Sequence, residues 1–102
     1  MGGTAAGSQP SVPAAPANLQ ATAGLRRVEL GWNPVSGATS YNLYRSTAPN
    51  GQGTTPLRSG LSATSFANTS LSNGTTYYYK VSAVNGSGES PRSTETSATP
   101  SR

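Results

Sequence analysis

The sequence predicts an all-β fold, a sandwich of two antiparallel sheets made from seven short strands. Three observations carry this. Tyr77, Tyr79, Val81 and Ala83 take every second place, with Tyr78, Lys80 and Ser82 between them; that alternation marks a strand with one face in a core. Breaks rich in Gly, Pro and Asn recur between segments of this kind, with 12 Gly and 8 Pro in 102 residues. Finally, no window of 11 residues carries a 3.6-period apolar stripe free of Gly or Pro, which sets helix aside.

The elements follow in order. Residues 1–15 are small, polar and interrupted by Pro; they read as a flexible linker or an added tail, because they cannot bury enough to order themselves. The folded body is expected over 16–99, and 100–102 resume linker character. Its first strand is expected at Asn18–Thr22, after Pro16. The second is expected at Arg27–Asn33, where Val28, Leu30 and Trp32 alternate with Glu29 and Gly31, and Pro34 stops it. The third spans Ser40–Ser46, with Tyr41 and Leu43 facing inward. A Gly-rich loop at 50–53 leads to a short edge strand at Thr55–Arg58, interrupted by Pro56. Ser65–Asn68 surrounds Phe66, Thr75–Asn85 is the longest strand, and Thr94–Thr99 closes the set. The expected core is Trp32, Tyr41, Leu43, Leu71, Tyr77, Tyr79 and Val81.

Composition narrows the chemistry. Hydrophobic residues make up 32% and charged residues 10%, so a small core lies under a polar, weakly charged surface. The net charge of +4 comes from six Arg and one Lys against three Glu. These charges are scattered, with Arg26–Arg27 the one adjacent pair; a basic run suited to nucleic acid is missing. No apolar run approaches the ~20 residues of a membrane helix. The N-terminus lacks the basic start and apolar middle of a signal peptide, and its Met-Gly-Gly opening suits an excised piece of a longer chain. With no cysteine and no histidine, disulfides, thiol catalysis and the usual zinc ligand sets fall away. No cofactor is implied.

Catalysis lacks its groups. Glycoside cleavage needs two carboxyls roughly 5 to 9.5 Å apart, and the acids are Glu29, Glu89 and Glu95 alone. Glu29 lies between two inward residues and should point out from one sheet. Glu95 precedes inward Thr96 and should point out from the other. Glu89 falls in the loop before the last strand without an evident partner. Serine and threonine hydroxyls have no base to activate them. Two aromatics, Tyr44 and Tyr78, are out of phase with the core. On neighbouring strands they would share an outer face with Asn42 and Lys80. Such a face offers either a stacking platform for sugar rings or apolar polymer, or a cross-strand pair that steadies the sheet. Asn68-Thr-Ser, Asn73-Gly-Thr and Asn85-Gly-Ser fit a glycosylation sequon, but the turn-forming role of Asn and Asn-Gly explains them better.

The order and spacing of several residues resemble the fibronectin type III family over about Pro16–Thr99. Trp32 stands at the family's second-strand tryptophan, Tyr41 and Leu43 at its third-strand core pair. Leu71, Thr75 and Tyr77 reproduce its Leu-x-x-x-Thr-x-Tyr spacing, and Val81, Ala83, Asn85 and Gly88 the remainder of that strand and its exit. Asn73 departs from the family's common proline. The resemblance implies a seven-stranded antiparallel immunoglobulin-like sandwich, with Tyr77 forming a tyrosine corner. Ser40–Ser46 and Gly74–Asn85 are similar to modules found in secreted bacterial chitinases, cellulases, amylases and polyester depolymerases. This implies a non-catalytic spacer, extracellular and monomeric. Its partners would be neighbouring catalytic and substrate-binding domains of the same chain, with weak contact to insoluble polysaccharide or polyester through Tyr44, Tyr78 and Lys80. Nucleic acid and membrane are not expected partners. The alternative is a protein-binding or adhesion module of a bacterial cell-surface protein. The Arg-Gly-Asp sequence that some animal relatives present in the loop before the last strand is absent here.

Overall fold

A computed structural model describes residues 11–101. Eight strands follow one another: β1 (Gln20–Gly24), β2 (Arg27–Gly31), β3 (Ser40–Ser46), β4 (Arg58–Leu61), β5 (Ser65–Asn68), β6 (Tyr77–Asn85), β7 (Gly88–Glu89) and β8 (Thr96–Ala98). One sheet has the order β1-β2-β5. The other runs β4-β3-β6-β7, with β8 also on β6. All pairings are antiparallel.

The eighth strand, β7, forms where a loop is expected, and the last expected strand, Thr94–Thr99, forms as β8. β7 pairs with Val84 and Asn85, and β8 pairs with Tyr77, Tyr78 and Tyr79. Pro91 lies between them and has no N–H to offer a ladder. Two serine hydroxyls repair the gap. Ser90 Oγ accepts the Ala83 N–H at 2.9 Å and Ser93 Oγ accepts the Val81 N–H at 3.0 Å. Their own backbone N–H groups donate to the Ala83 and Val81 carbonyls, each at 2.7 Å. The buried edge of β6 therefore keeps its partners through the irregular stretch.

Other boundaries move for local reasons. β1 starts at Gln20 rather than Asn18, because Asn18 has a left-handed φ of 58°. It runs on to Gly24 and turns into β2 through Leu25 and Arg26. Arg26 also has a positive φ, 56°; its N–H donates to Asn73 Oδ1 at 2.8 Å and its carbonyl accepts from Leu71 N at 2.9 Å. The edge strand forms at Arg58–Leu61 instead of Thr55–Arg58. Pro56 removes a donor, and Gly60, with φ of 70°, accompanies the register shift between Tyr41 and Leu43. β6 begins at Tyr77, since Thr75 is held in a turn to the Ser72 carbonyl.

The core lies between the inner faces. Val28 and Leu30 from β2, Leu43 from β3, and Tyr79, Val81 and Ala83 from β6 are buried, as are Leu19, Trp32, Tyr41, Leu71 and Tyr77. Each large side chain taken fully from water contributes about 1.5–3 kcal/mol. Trp32 meets Tyr41 edge to face, 5.7 Å between ring centroids at 64°; its indole N–H has no hydrogen-bond partner among the described residues. The core tyrosines each find a hydrogen-bond partner for the hydroxyl. Tyr41 accepts the Val35 N–H at 2.9 Å, and Tyr77 accepts the Ser72 N–H at 3.0 Å, making the expected tyrosine corner. Tyr79 donates to Asn68 Oδ1 at 2.8 Å, which Arg45 also approaches at 3.2 Å. The Arg45 guanidinium lies 5.4 Å from the centre of the Tyr77 ring.

Contacts extend past the expected limits of 16 and 99. Pro13 and Pro16 are buried, and Asn85 Nδ2 donates to the Ser11 carbonyl at 2.8 Å. At the other end Pro100 is buried. Its carbonyl accepts from Gly74 N at 2.8 Å, and Ser101 N donates to the Gly24 carbonyl at 3.2 Å. The incoming segment thus lies by the β6–β7 turn and the outgoing one by the β1–β2 and β5–β6 turns. These are opposite ends of a nine-residue strand, about 30 Å apart at the rise of an extended chain. Residues 1–10 of the expected tail at 1–15, and residue 102, fall outside the described residues.

Tyr77→Phe is expected to cost about 1–2 kcal/mol by leaving the Ser72 N–H unpaired. Leu43→Ala is expected to cost about 2–5 kcal/mol through the cavity it opens. Urea unfolding monitored by Trp32 fluorescence measures both, and a smaller loss for Leu43→Ala than for Tyr77→Phe would contradict the assigned core.

Candidate functional site

The outer face of the larger sheet carries the residues expected to make a surface contact. Asn42 and Tyr44 on β3 lie opposite Ser82 and Lys80 on β6, and Tyr78 lies opposite Ser46. The expected pair of exposed tyrosines does not form. Tyr44 is buried, at 2% exposure, whereas Tyr78 and Lys80 are half-buried. The cover comes from the segment that follows β6. Arg92 lays its guanidinium 3.7 Å from the Tyr44 ring centre. The Tyr44 hydroxyl donates to the Glu89 carboxylate, and so does the hydroxyl of Ser82, which is fully buried. Glu89, expected to lack a partner, is the hub of this face. Of Tyr44, Tyr78 and Lys80, only Tyr78 and Lys80 keep partial exposure.

The geometry sets the proton affinities. Burial pushes the Glu89 carboxyl up, but hydrogen bonds from Ser82, Tyr44 and Asn42, with the Arg92 charge, outweigh it and leave the group below its ordinary value. Burial first, and then Glu89, raise the Tyr44 phenol. Glu95 is lowered by hydrogen bonds from Gln52 Nε2 and the Asn50 backbone N–H, each at 2.7 Å, with a further contribution from Lys80. Burial pushes Tyr79 up to about 12, with Tyr77 adding and Arg45 opposing.

These carboxylates act as fixed acceptors and do not converge. Glu29 stands on the outer face of the smaller sheet, exposed and paired with Arg27. Glu89 and Glu95 occupy separate hydrogen-bonded settings on the larger one. No group of three His, Cys, Asp or Glu side chains gathers among the described residues. A shallow polar groove of about 460 Å³ crosses the smaller sheet between Gln20, Thr22, Glu29, Gly31 and Asn33. Its polar lining consists of ordinary outward-facing positions, brought side by side by the β1–β2 register, and no motif marks it in the sequence.

Two antiparallel sheets closed over one core, with a tyrosine corner, define an immunoglobulin-like sandwich. The chain belongs to the fibronectin type III family, whose domain profile matches residues 14–99. It is 39% identical over 95 residues to an amylopullulanase of Thermoanaerobacterium saccharolyticum, covering 92% of this chain and 7% of that protein. It is 40% identical over 87 residues to a poly(3-hydroxybutyrate) depolymerase of Ralstonia pickettii, covering 83% and 16%. A tail tube protein, gp17.1*, of Bacillus phage SPP1 is 38% identical over 91 residues, covering 89% and 32%. Among solved structures, an Fn3-like protein from Clostridium thermocellum superposes with a TM-score of 0.71 at 33% identity, covering 93% of this chain and 97% of that one. The chain therefore spans a small part of the length of the curated relatives that it matches.

Stability should fall at both pH extremes. A carboxyl held below its unfolded value contributes stability that is present above that value, 4.5, and is lost as pH falls through the lowered one. A phenol held above its unfolded value of 10.0 contributes stability present below pH 10.0 and lost as pH rises toward about 12. Urea midpoints measured against pH should show both limbs. Glu89→Gln with Glu95→Gln should flatten the acid limb, and the loss of the Glu89 charge beside Tyr44 should also change the alkaline one; an unchanged acid limb in that double variant would remove the assigned roles.

Proposed function

We propose that this domain is a non-catalytic accessory module of a secreted bacterial enzyme that degrades polysaccharide or a related polymer. It holds a catalytic domain and a substrate-binding domain apart in one chain. The observation that carries this reading is the small fraction that the matching region occupies in an amylopullulanase and a depolymerase, which leaves most of each relative for other work. The position of the chain ends supports it, because a module with its ends at opposite poles separates whatever it joins. The three carboxylates are engaged as structural acceptors or paired with Arg27, and their separate settings support a role without bond cleavage. Weak surface contact with polymer would rest on Tyr78 and Lys80, the partly exposed residues of that face.

A second reading, a binding module on a surface assembly, draws support from the phage tail tube relative. The first reading predicts little retention on polymer and tolerance of replacement, and the replacement separates the two. The isolated domain, incubated with insoluble starch, cellulose, chitin and poly(3-hydroxybutyrate), is expected to stay largely in the supernatant. Any weak retention should disappear in Tyr78→Ala, Lys80→Ala. Replacing the module in its parent enzyme by an unrelated sandwich of similar end-to-end length should preserve activity on insoluble polymer. Failure of that replacement would rule out a pure spacer.

A further inference from the structure

We infer that Asn50 is a site of spontaneous covalent modification, converting through a succinimide to aspartate and isoaspartate. Three Asn-Gly pairs occur in the described residues: Asn50-Gly51, Asn73-Gly74 and Asn85-Gly86. In each, a glycine without a side chain leaves its nitrogen free to approach the asparagine side-chain carbon. The structure separates the three by how firmly the reacting groups are held.

At Asn73 both reactants are tied. The side-chain oxygen accepts the Arg26 N–H at 2.8 Å, and the Gly74 nitrogen donates to the Pro100 carbonyl at 2.8 Å. At Asn85 the side-chain amide is tied from both sides. Nδ2 donates to Ser11 and Oδ1 accepts from Ser87 N, each at 2.8 Å. Asn50 and Gly51 are exposed, and the Asn50 side chain makes no hydrogen bond among the described residues. The one restraint on the reacting groups is a turn bond of 3.1 Å from Gly51 N to the Ala48 carbonyl. One hydrogen bond must open there, against two at either of the other pairs.

In the reaction the Gly51 amide nitrogen gives its proton to solvent base and attacks Asn50 Cγ. The bond from Cγ to the side-chain nitrogen breaks, and ammonia leaves with a proton returned by solvent. Water then opens the ring. Cleavage between the Gly51 nitrogen and Cγ gives an ordinary aspartate in place of the asparagine. Cleavage between that nitrogen and the backbone carbonyl carbon gives isoaspartate, with one extra methylene in the main chain. Each product adds a negative charge beside Glu95, whose carboxylate accepts the Asn50 N–H at 2.7 Å. Isoaspartate also alters the path of the loop that carries Gln52 to the same carboxylate. The modification acts on the tie between the β3–β4 loop and the segment entering β8.

Trypsin places the three pairs on separate peptides: Ser46–Arg58, Ser59–Lys80 and Val81–Arg92. The folded domain is held at mildly alkaline pH in ammonia-free buffer, sampled over weeks, and mapped by mass spectrometry with electron-transfer fragmentation. The Ser46–Arg58 peptide is expected to gain the acid and its isoaspartyl isomer about five- to tenfold faster than the other two, the ratio set by one fewer hydrogen bond to open. In urea that unfolds the chain, the three rates should draw together. Asn50→Gln should abolish conversion in that peptide and leave the fold unchanged by circular dichroism. Equal rates in the folded domain, or Asn73 or Asn85 leading, would overturn the inference.

Discussion

Buried phenols have to be hydrogen-bonded, and the architecture of this domain depends on that requirement. A chain with 32% hydrophobic residues closes its core with tyrosine where richer sequences use leucine. Every such ring brings an oxygen that costs about 1–3 kcal/mol if left unpaired. The fold meets this by giving each oxygen a partner on another segment, so that each ring also fastens one part of the chain to another. Tyr41 holds the turn after β2 through Val35, Tyr77 holds the β5–β6 connection through Ser72, and Tyr79 joins the sheets through Asn68. Tyr44 does the same on the outer face, fastening the β6–β8 segment through Glu89. Two connections, at Val35 and Ser72, are thus held by side chains that fill the interior.

This explains which parts of the structure were legible in advance. Alternation along β6 and β3 identified the inner rows, and the seven residues expected in the core are all buried. Tyr77 was placed by its spacing from Leu71 and Thr75, a local relation. Tyr44 was misplaced because phase along one strand tells which face a residue occupies, not whether anything later covers that face. Its cover, Glu89 and Arg92, arrives 45 and 48 residues downstream. The short strand β7 is hidden similarly. Pro91 was visible, but the capacity of Ser90 and Ser93 to stand in for missing ladder partners becomes evident only beside the β6 edge.

The functional residues divide along the same line. Residue types absent from a sequence can be judged without a structure, and the lack of cysteine and histidine already narrowed the chemistry. Placement of the residues present could not be judged so easily. Glu89 changed from a loose loop acid to the centre of a hydrogen-bonded cluster, and Asn50 became distinct from two similar pairs once their partners were visible. Both follow from contacts between segments remote in sequence.

The placement of the chain ends has a mechanical consequence. Tension drawn through the chain would pull β1 toward the pole by which it enters and β8 toward the opposite pole. Each strand would be dragged along its own axis past its neighbour, β2 or β6. Antiparallel ladder bonds lie across that direction, so a whole row is strained together, whereas peeling would break them singly. Such an arrangement transmits traction between its neighbours and yields only when the row fails as a unit.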